Sequence, residues 1–289
     1  MASSTGGSPA GRNFVGSGLP ITSDATSTQR LVYAAAVYGD SPALIPEPPA
    51  EPCSFASLAS IVQRAAAGLA WRGLRPRDVV GIYVPDVVSF LLARHAISAA
   101  GGVPCLVSTQ LDVTEMAGQL ADCGARMLLT APPLAAAGLA AADRSWVRQV
   151  ISFGEAPAAT PFSSLLSMGT LCPPAARPHD LALLAYARAA DRTLQPVGLP
   201  HVEMAGRLAD LAATAQVGPG DVVLAAPPTG DGRAYTAFAD HVLLHGASIV
   251  AAGVGAMGAA AAEYHGTAAI VPPGVTVQSA PELRFFTVV

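Results

Sequence analysis

Short, continuous apolar runs alternate with amphipathic helical patterns along most of this 289-residue chain. The runs that we predict to be central strands are 79–84, 103–107, 127–130, 181–186 and 222–226. An apolar run without polar alternation is typical of a parallel strand that helices bury on both faces. The sequence therefore predicts an α/β fold of mixed, mainly parallel sheets with helices on both faces.

The segments between these runs have the signals of helix starts and ends. The segment 54–73 has apolar residues at helical spacing, begins with the good N-cap Ser54 and ends at Gly73. In the same way, Thr114 is the predicted N-cap of a helix over 115–123. Each of these helices is expected to bury one face against a sheet.

Composition divides the chain into three parts. Residues 1–27 are rich in Ser, Gly and Thr and are predicted to be a flexible segment. A proline-rich stretch at 173–178 indicates a connector. We therefore expect a first α/β lobe over 28–178 and a second over 179–289.

Charge and cysteine content exclude several classes of function. A formal net charge of −4 provides no basic surface for a nucleic acid. The four cysteines are widely spaced without a C-x-x-C pair, so we expect reduced thiols rather than disulfides or zinc ligands. The N-terminus lacks the apolar region of a secretory signal, and 243–262 is mostly Ala and Gly, as in a buried strand and helix. We therefore expect a cytoplasmic protein that does not bind membranes.

The sequence contains no lysine, because all 16 of its basic residues are arginine. A codon bias explains this most simply, but the chemical consequence is the same for any cause. The chain has no lysine to form a Schiff base, to bind phosphates in a P-loop or to act in catalysis.

Several segments are similar, in order and spacing, to one known family. They are SFASLASIVQRAAAGLAWRG at 54–73, RDVVGI at 77–82, VPD at 84–86, CGAR at 123–126, GDVVL at 220–224, LHGAS at 244–248 and ELRFF at 282–286. Together they resemble the N-terminal part of the adenylate-forming superfamily of acyl-CoA synthetases, 4-coumarate-CoA ligases and luciferases. The resemblance implies descent from an AMP-forming acid–CoA ligase, whose cofactors are ATP and Mg.

The phosphate loop of that family has the form Ser-Gly-Thr-Thr-Gly-x-Pro-Lys-Gly, and its place here is a predicted polar loop at 187–197. Glycines let backbone N–H groups approach the phosphates, and the lysine neutralises their charge. Here Ala189 and Arg192 occupy glycine positions, and Gln195 replaces the lysine. The candidate residues of this degenerate nucleotide loop are Tyr186, Arg188, Asp191, Arg192, Thr193, Gln195 and His201. No cofactor is expected unless the altered loop still binds ATP or AMP with Mg.

The family's second landmark, an aromatic-rich turn at the acyl pocket, falls at 228–234, where its His and Phe are absent. The substrate-pocket candidates by resemblance are Thr229, Asp231 and Arg233. The alternative is a flexible turn before the next helix.

His241 and His245 lie four residues apart on that predicted helix, which is a spacing that can bind a metal ion. The sequence offers no third ligand, so an amphipathic helix is favoured and no metal site is predicted. No residue is assigned a catalytic role.

These observations favour a truncated, catalytically inactive or repurposed relative of AMP-forming acyl- and aryl-CoA synthetases. It would act by binding a ligand, such as a carboxylic acid or acyl compound, or a protein partner. Two alternatives stay open: an active adenylate-forming subunit that needs a separate C-terminal partner, and a scaffold recruited to an ATP-independent reaction. The apolar segment 283–289 is expected to be a strand left without neighbours in this chain, and its unpaired edge predicts a homodimer or a separate protein partner.

Overall fold

The computed structural model describes residues 25–47, 51–171, 176–228, 232–271 and 283–287. Within these residues the chain forms eight α-helices and thirteen strands. The helices are α1 (Ser27–Tyr38), α2 (Phe55–Trp71), α3 (Val87–Ala99), α4 (Val113–Asp122), α5 (Ala135–Ala142), α6 (His201–Thr214), α7 (Arg233–Leu244) and α8 (Met257–Glu263). The strands are β1 (Pro42–Ile45), β2 (Cys53–Ser54), β3 (Val79–Tyr83), β4 (Val103–Leu106), β5 (Met127–Thr130), β6 (Gln149–Ser152), β7 (Thr160–Pro161), β8 (Leu181–Arg188), β9 (Leu194–Pro200), β10 (Val222–Ala225), β11 (Ser248–Ala251), β12 (Ala268–Val271) and β13 (Arg284–Thr287).

The strands form two sheets. One is seven-stranded with the order β7-β6-β5-β3-β4-β8-β9, and the other is six-stranded with the order β13-β12-β10-β11-β1-β2. All neighbours are parallel except β8 with β9 and β1 with β2, which are antiparallel. The predicted fold class, mixed and mainly parallel sheets with helices on both faces, is confirmed.

Three apolar cores hold the sheets and helices together in five layers. The largest core lies between the two sheets and contains α1, α2, α3, α6 and α7. Helices α4 and α5 cover the outer face of the seven-stranded sheet, and α8 covers the outer face of the six-stranded sheet. Apolar side chains project from both faces of each sheet and pack against helices, so neither face of the central strands is exposed to water.

All five predicted central strands are internal strands of the two sheets, where they are β3, β4, β5, β8 and β10. Strands β4 and β5 are buried at every residue, as their continuous apolar runs predict. The predicted strand 181–186 continues to Arg188, which places the start of the candidate nucleotide loop inside the sheet.

The helix starts follow the side-chain chemistry of their caps. The Ser54 hydroxyl accepts a hydrogen bond from the Ser57 N–H at 3.2 Å, which confirms Ser54 as the N-cap of α2. The prediction of Thr114 as the next N-cap is wrong. Asp112 takes that position, because its carboxylate accepts the N–H groups of Thr114 and Glu115, each at 2.8 Å. A carboxylate that satisfies two helix N–H groups also interacts favourably with the helix dipole.

Both sheets combine strands from the two sides of residue 178, where we expected the boundary between two lobes. Strand β1 pairs with β11 in the six-stranded sheet, and β8 pairs with β4 in the seven-stranded sheet. The pairings therefore cross the predicted boundary. The division of the chain into independent lobes stays a prediction.

A buried ion pair joins the helices between the sheets. Arg94 of α3 donates to Asp240 of α7 at 2.6 Å, and both side chains are 1% exposed. Arg94 also donates to the Ser27 hydroxyl of α1 at 2.9 Å, and His95 Nε2 lies 3.4 Å from the Asp240 carboxylate. The pair therefore links α3, which packs on the seven-stranded sheet, to α7, which packs on the six-stranded sheet, and Arg94 also joins them to α1.

The protonation states in this cluster follow from its burial. Burial raises the pKa of the Asp240 carboxyl, but Arg94 and His95 beside it bring that pKa below its ordinary value. Burial and the neighbouring Arg94 lower the pKa of His95. At neutral pH the cluster therefore holds a charged Arg94–Asp240 pair and a neutral imidazole.

The segment 243–262 forms the end of α7, strand β11 and most of α8, as its small and apolar residues predict. Within the described residues, no helix combines the length and the apolarity that crossing a membrane requires. Cys53, Cys105 and Cys123 are free thiols, and Cys172 lies outside the described residues.

Candidate functional site

The predicted loop at 187–197 is a β-hairpin, so the loop prediction is wrong for most of its length. Strands β8 and β9 are antiparallel, with Arg188 opposite Leu194 and Ala187 opposite Gln195. The turn is confined to 189–193. The prediction missed β9 because two prolines interrupt its pattern, and proline is tolerated in an edge strand such as this one.

Hydrogen bonds within the turn use several of its own backbone N–H groups. The Ala189 N–H donates to the Thr193 carbonyl, and the Arg192 N–H donates to the Ala189 carbonyl, both at 2.9 Å. The Asp191 carboxylate accepts the Thr193 N–H at 3.0 Å and the Thr193 hydroxyl at 2.6 Å. The turn is therefore closed by contacts among its own residues.

The residue types and the charge of the turn also differ from those of a phosphate loop. Arg192 has a φ of +69°, which is a left-handed conformation that glycine adopts without strain. The hydrogen bonds from the Thr193 hydroxyl and N–H lower the pKa of the Asp191 carboxyl. A negative charge therefore stands in the turn at neutral pH.

Arg188 is engaged by two acceptors at the end of β8. Its guanidinium donates to the Arg192 carbonyl at 2.9 Å and to the Glu115 carboxylate at 3.0 Å. Both side chains of the ion pair are partly exposed. Arg188 thus fastens the turn to the first turn of α4.

Tyr186 makes a second contact with α4. Its hydroxyl donates a hydrogen bond to the Asp122 carboxylate, and its ring is buried. Burial and the Asp122 carboxylate raise the pKa of the Tyr186 phenol, which stays protonated. Glu115 and Asp122 were missed by the motif comparison, although their spacing of two helical turns puts both on one face of α4.

Gln195 and His201 are separated from the other nucleotide-loop candidates. Gln195 is exposed and shares a sheet face with Ala187, so it points away from the face of Tyr186 and Arg188. His201 begins α6 beyond the far end of β9, and the seven residues of that strand span about 23 Å. The structure therefore brings together Tyr186, Arg188, Asp191, Arg192 and Thr193, but neither Gln195 nor His201 joins them.

His201 lies instead on a cavity of about 300 Å³ at the amino ends of the strands, with Arg77, Ser98 and Asp180. Its Nδ1 is buried and has no hydrogen-bond partner among the described residues. Burial, together with the Arg94 guanidinium, lowers the pKa of His201 to about 4. The imidazole is therefore neutral at pH 7.

Of the substrate-pocket candidates, Thr229 and Asp231 lie outside the described residues. Arg233 is the first residue of α7 and follows Gly232, which has a φ of +66°. A Cβ atom at Gly232 would collide with the side chain of Leu106, the last residue of β4. This turn therefore reaches the carboxyl end of the seven-stranded sheet, where ligands bind in open α/β folds.

His241 and His245 both lie on α7 or at its end, and their ring centroids are 4.2 Å apart. His241 Nε2 contacts the Ala215 carbonyl at 2.9 Å, and His245 Nδ1 contacts the His241 carbonyl at 2.8 Å. In the part of the chain that the structure describes, no three His, Cys, Asp or Glu side chains are grouped to hold a metal ion.

One family of enzymes matches most of this chain. The model of the family described as AMP-binding enzyme matches residues 31–252. The chain belongs to this family, as its sequence motifs predict.

Several solved structures share the fold at low sequence identity. The apo structure of MbtA from Mycobacterium smegmatis has a TM-score of 0.80 and 22% sequence identity, over 91% of this chain and 52% of that chain. A long-chain-fatty-acid–CoA ligase described as putative, from Rhodopseudomonas palustris, has a TM-score of 0.79 and 16% identity, over 92% and 70% of the two chains.

The long-chain-fatty-acid–CoA ligase FadD1 from Archaeoglobus fulgidus has a TM-score of 0.77 and 18% identity, over 87% of this chain and 52% of that chain. The chain thus spans about half the length of two of these three structures. At these identities the likeness defines the fold.

Proposed function

We propose that this chain is a catalytically inactive or repurposed member of its family that acts by binding a ligand or a protein partner. The observation that carries this proposal is the closed turn 189–193. Its N–H groups at Ala189, Arg192 and Thr193 already donate to acceptors within the turn. A phosphate cradle needs such N–H groups to point together at the anion.

Electrostatics support the same proposal. The Asp191 carboxylate occupies the turn, so a triphosphate would meet a negative charge there. Arg188 is paired with Glu115, and the lysine of the family's loop is replaced by Gln195 on the other face of the hairpin. The residues of the turn therefore do not fit an ATP triphosphate, and no reaction step is assigned to ATP or Mg in this chain.

The test of inactivity is ATP–pyrophosphate exchange with a panel of carboxylic acids, together with calorimetry for Mg-ATP. We expect no exchange above background and no heat of binding. Arg207→Ala, in an exposed ion pair on α6, is the matched arginine control. The proposal would be contradicted if the wild type catalyses exchange, Arg192→Ala abolishes it and Arg207→Ala preserves it.

A related outcome distinguishes the alternative of an active subunit. If exchange appears only when a separate C-terminal domain of a family member is added, the chain is a ligase subunit and the turn must open on assembly. That alternative draws on length, because the chain covers about half the length of two solved structures that share its fold. No exchange with or without such a domain supports the inactive form.

The proposed small ligand is a carboxylic acid or acyl compound at the carboxyl ends of the strands. Arg233 begins α7 directly after Gly232, whose backbone lies against Leu106 at the end of β4, so an arginine stands next to this end of the sheet in the chain. Calorimetry with carboxylic acids measures this binding without depending on ATP. Weaker binding in Arg233→Gln than in Arg207→Gln supports it, and equal binding by all three proteins contradicts it.

The proposed protein partner is a second copy that pairs at the edge strand β13. The strand pairs with β12 on one side, and no strand of the described residues pairs with it on the other. The pairing with β12 corrects the expectation of a strand without neighbours in this chain, and Phe286 also packs against Phe238 with ring centroids 4.5 Å apart. Phe285, which is 44% exposed, remains available for a contact.

Light scattering coupled to size exclusion tests this assembly. We expect a dimer for the wild type and a monomer for Phe285→Asp, because the new charge would be buried in the interface. Val254→Asp places the same charge at another exposed apolar residue and should leave the dimer intact. A wild-type monomer at micromolar concentrations would refute the dimer.

A further inference from the structure

A cavity rich in arginine lies at the amino ends of the strands, opposite the candidate nucleotide turn. Its volume is about 320 Å³, and the residues that carry the argument are Arg72, Arg75, Asp78, Arg126, Arg148 and Gln149. We call it the arginine cavity. Its size is at the lower end of the range for small-molecule sites.

Sheet order brings these arginines together from distant parts of the sequence. Strands β6, β5 and β3 are consecutive neighbours in the seven-stranded sheet. Arg148 directly precedes β6, Arg126 directly precedes β5, and Arg75 lies four residues before β3. Since neighbouring strands are about 4.8 Å apart, the three side chains start within reach of one small ligand.

Hydrogen bonds fix the loops that carry the arginines. The Arg148 N–H donates to the Arg126 carbonyl at 2.9 Å, which holds the starts of β6 and β5 in register. The Gln149 amide donates to the Arg72 carbonyl at 3.1 Å, which ties the end of α2 to the same edge. The cavity therefore has a defined backbone frame.

Charge in the arginine cavity is far from balanced. Four arginines line the cavity, and Asp78 is the one acidic residue among the residues that line it. Asp78 Oδ1 is 3.9 Å from Arg126 Nε, and Asp78 Oδ2 accepts the Arg75 N–H at 3.0 Å. The local excess of positive charge contrasts with the net charge of −4 of the whole chain.

Helix dipoles do not account for this cluster. Only Arg72 is a helix cap, at the end of α2, and its guanidinium donates to the Ser164 hydroxyl at 3.1 Å. Arg75, Arg126 and Arg148 are exposed and precede strands rather than ending helices. Their placement calls for an anionic partner, because guanidiniums bind phosphate and carboxylate groups through paired N–H donors.

Two further features point to a bound ligand. The Gln149 Oε1 atom is buried and accepts no hydrogen bond from the described residues, so it can accept one from a ligand O–H. Trp71 and Trp146, which are 70% and 69% exposed, each lie within two residues of an arginine of the cavity. Trp and Arg are both enriched at recognition surfaces.

We infer that the arginine cavity is a binding site for a small molecule that carries two or more negative charges on phosphate or carboxylate groups. The site is separate from the turn 189–193, because it lies at the amino ends of β3, β5 and β6, whereas the turn follows the carboxyl end of β8 in the same sheet. Its ligand can therefore bind whether or not the chain binds a nucleotide.

Calorimetry with pyrophosphate and with citrate, in low salt, tests the site and separates the two sources of charge. Binding of pyrophosphate alone assigns the site to phosphorylated compounds, and binding of citrate alone assigns it to polycarboxylates. Binding of both assigns it to multivalent anions of either kind. No heat of binding with either probe at about 10 mM would mean a dissociation constant too high for specific binding, and this result would overturn the inference.

Variants identify the residues. Arg126→Gln/Arg148→Gln should weaken binding by about tenfold or more, because two charge-assisted contacts are lost. Asp78→Asn should tighten binding, since it removes the one carboxylate and keeps an acceptor for the Arg75 N–H. The matched control is Arg64→Gln/Arg207→Gln, which removes two arginines outside the cavity. Equal weakening by the control pair would show binding to total charge rather than to this site. Circular dichroism confirms that each variant is folded.

Discussion

Replacing one partner of the buried Arg94–Asp240 pair should strongly destabilise the fold. In Arg94→Met, the Asp240 carboxylate loses its cationic partner and keeps His95 Nε2 at 3.4 Å and the Ser27 hydroxyl as polar neighbours. One of its oxygens already has no partner among the described residues. A buried charge that loses its partner costs about 3–5 kcal/mol. Since the free energy of unfolding of a native protein is only about 5–15 kcal/mol, this is a large fraction.

The double variant distinguishes an ion-pair effect from a loss of packing. Arg94→Met/Asp240→Leu removes both charges and both desolvation costs, so it should be more stable than either single variant. The expected coupling between the two sites is at least about 2 kcal/mol, which is within the range for residues in one network. The exposed Glu203–Arg207 pair on α6 is the control, with an expected coupling of about 0.3–0.5 kcal/mol.

The assay is urea unfolding at pH 7, followed by circular dichroism and by the fluorescence of Trp71 and Trp146. Coincident transitions in both signals are required before free energies are compared. If Arg94→Met costs less than about 1 kcal/mol, or if the double variant costs the sum of the single variants, the pair does not stabilise the fold as argued.

Two further predictions concern packing and pH. Gly68→Ala should destabilise the fold by about 1–3 kcal/mol, because the new Cβ would collide with the backbone of Leu165. The control is Gly206→Ala on α6, where the new Cβ meets no atom and should stabilise the helix slightly. Thermal unfolding measures both variants, and equal effects would contradict the prediction. His201 has a pKa of about 4, so the folded chain binds fewer protons than the unfolded chain between pH 4 and the ordinary imidazole pKa of 6.5. The contribution of His201 to the free energy of unfolding should therefore be full above pH 6.5 and decrease as the pH falls towards 4. Urea unfolding at pH 7.5 and 5.5 measures this decrease, which should be smaller in His201→Gln than in the wild type. An equal decrease in both proteins would refute the assignment.

Much of the fold could be predicted because its signals are local. Continuous apolar runs identified β3, β4, β5, β8 and β10 as buried strands, and helical spacing located the helices between them. The changed residues of the phosphate loop were also visible in the sequence alone. Errors arose where two local signals competed. Thr114 and Asp112 are both residue types that cap helices, and Asp112 is the N-cap because its carboxylate reaches two N–H groups of the first turn.

The candidate site depended on contacts that no local pattern contains. The sequence placed Gln195 and His201 with the nucleotide loop, but the antiparallel hairpin turns Gln195 to the other face and carries His201 to the far end of β9. The resemblance also assigned Thr229 and Arg233 to a substrate pocket. Of these two residues, Arg233 lies within the described part of the chain and Thr229 does not.

The sequence by itself determined the periodicity of the elements, the family and the loss of the family's lysine and glycines. Only the tertiary structure decided that β1 joins β11, that Arg94 meets Asp240, and that the arginines before β3, β5 and β6 line one cavity. The physical reason is that periodicity and capping arise from neighbours along the chain. Strand order and buried charge pairs depend instead on residues that folding brings together from distant parts of the sequence.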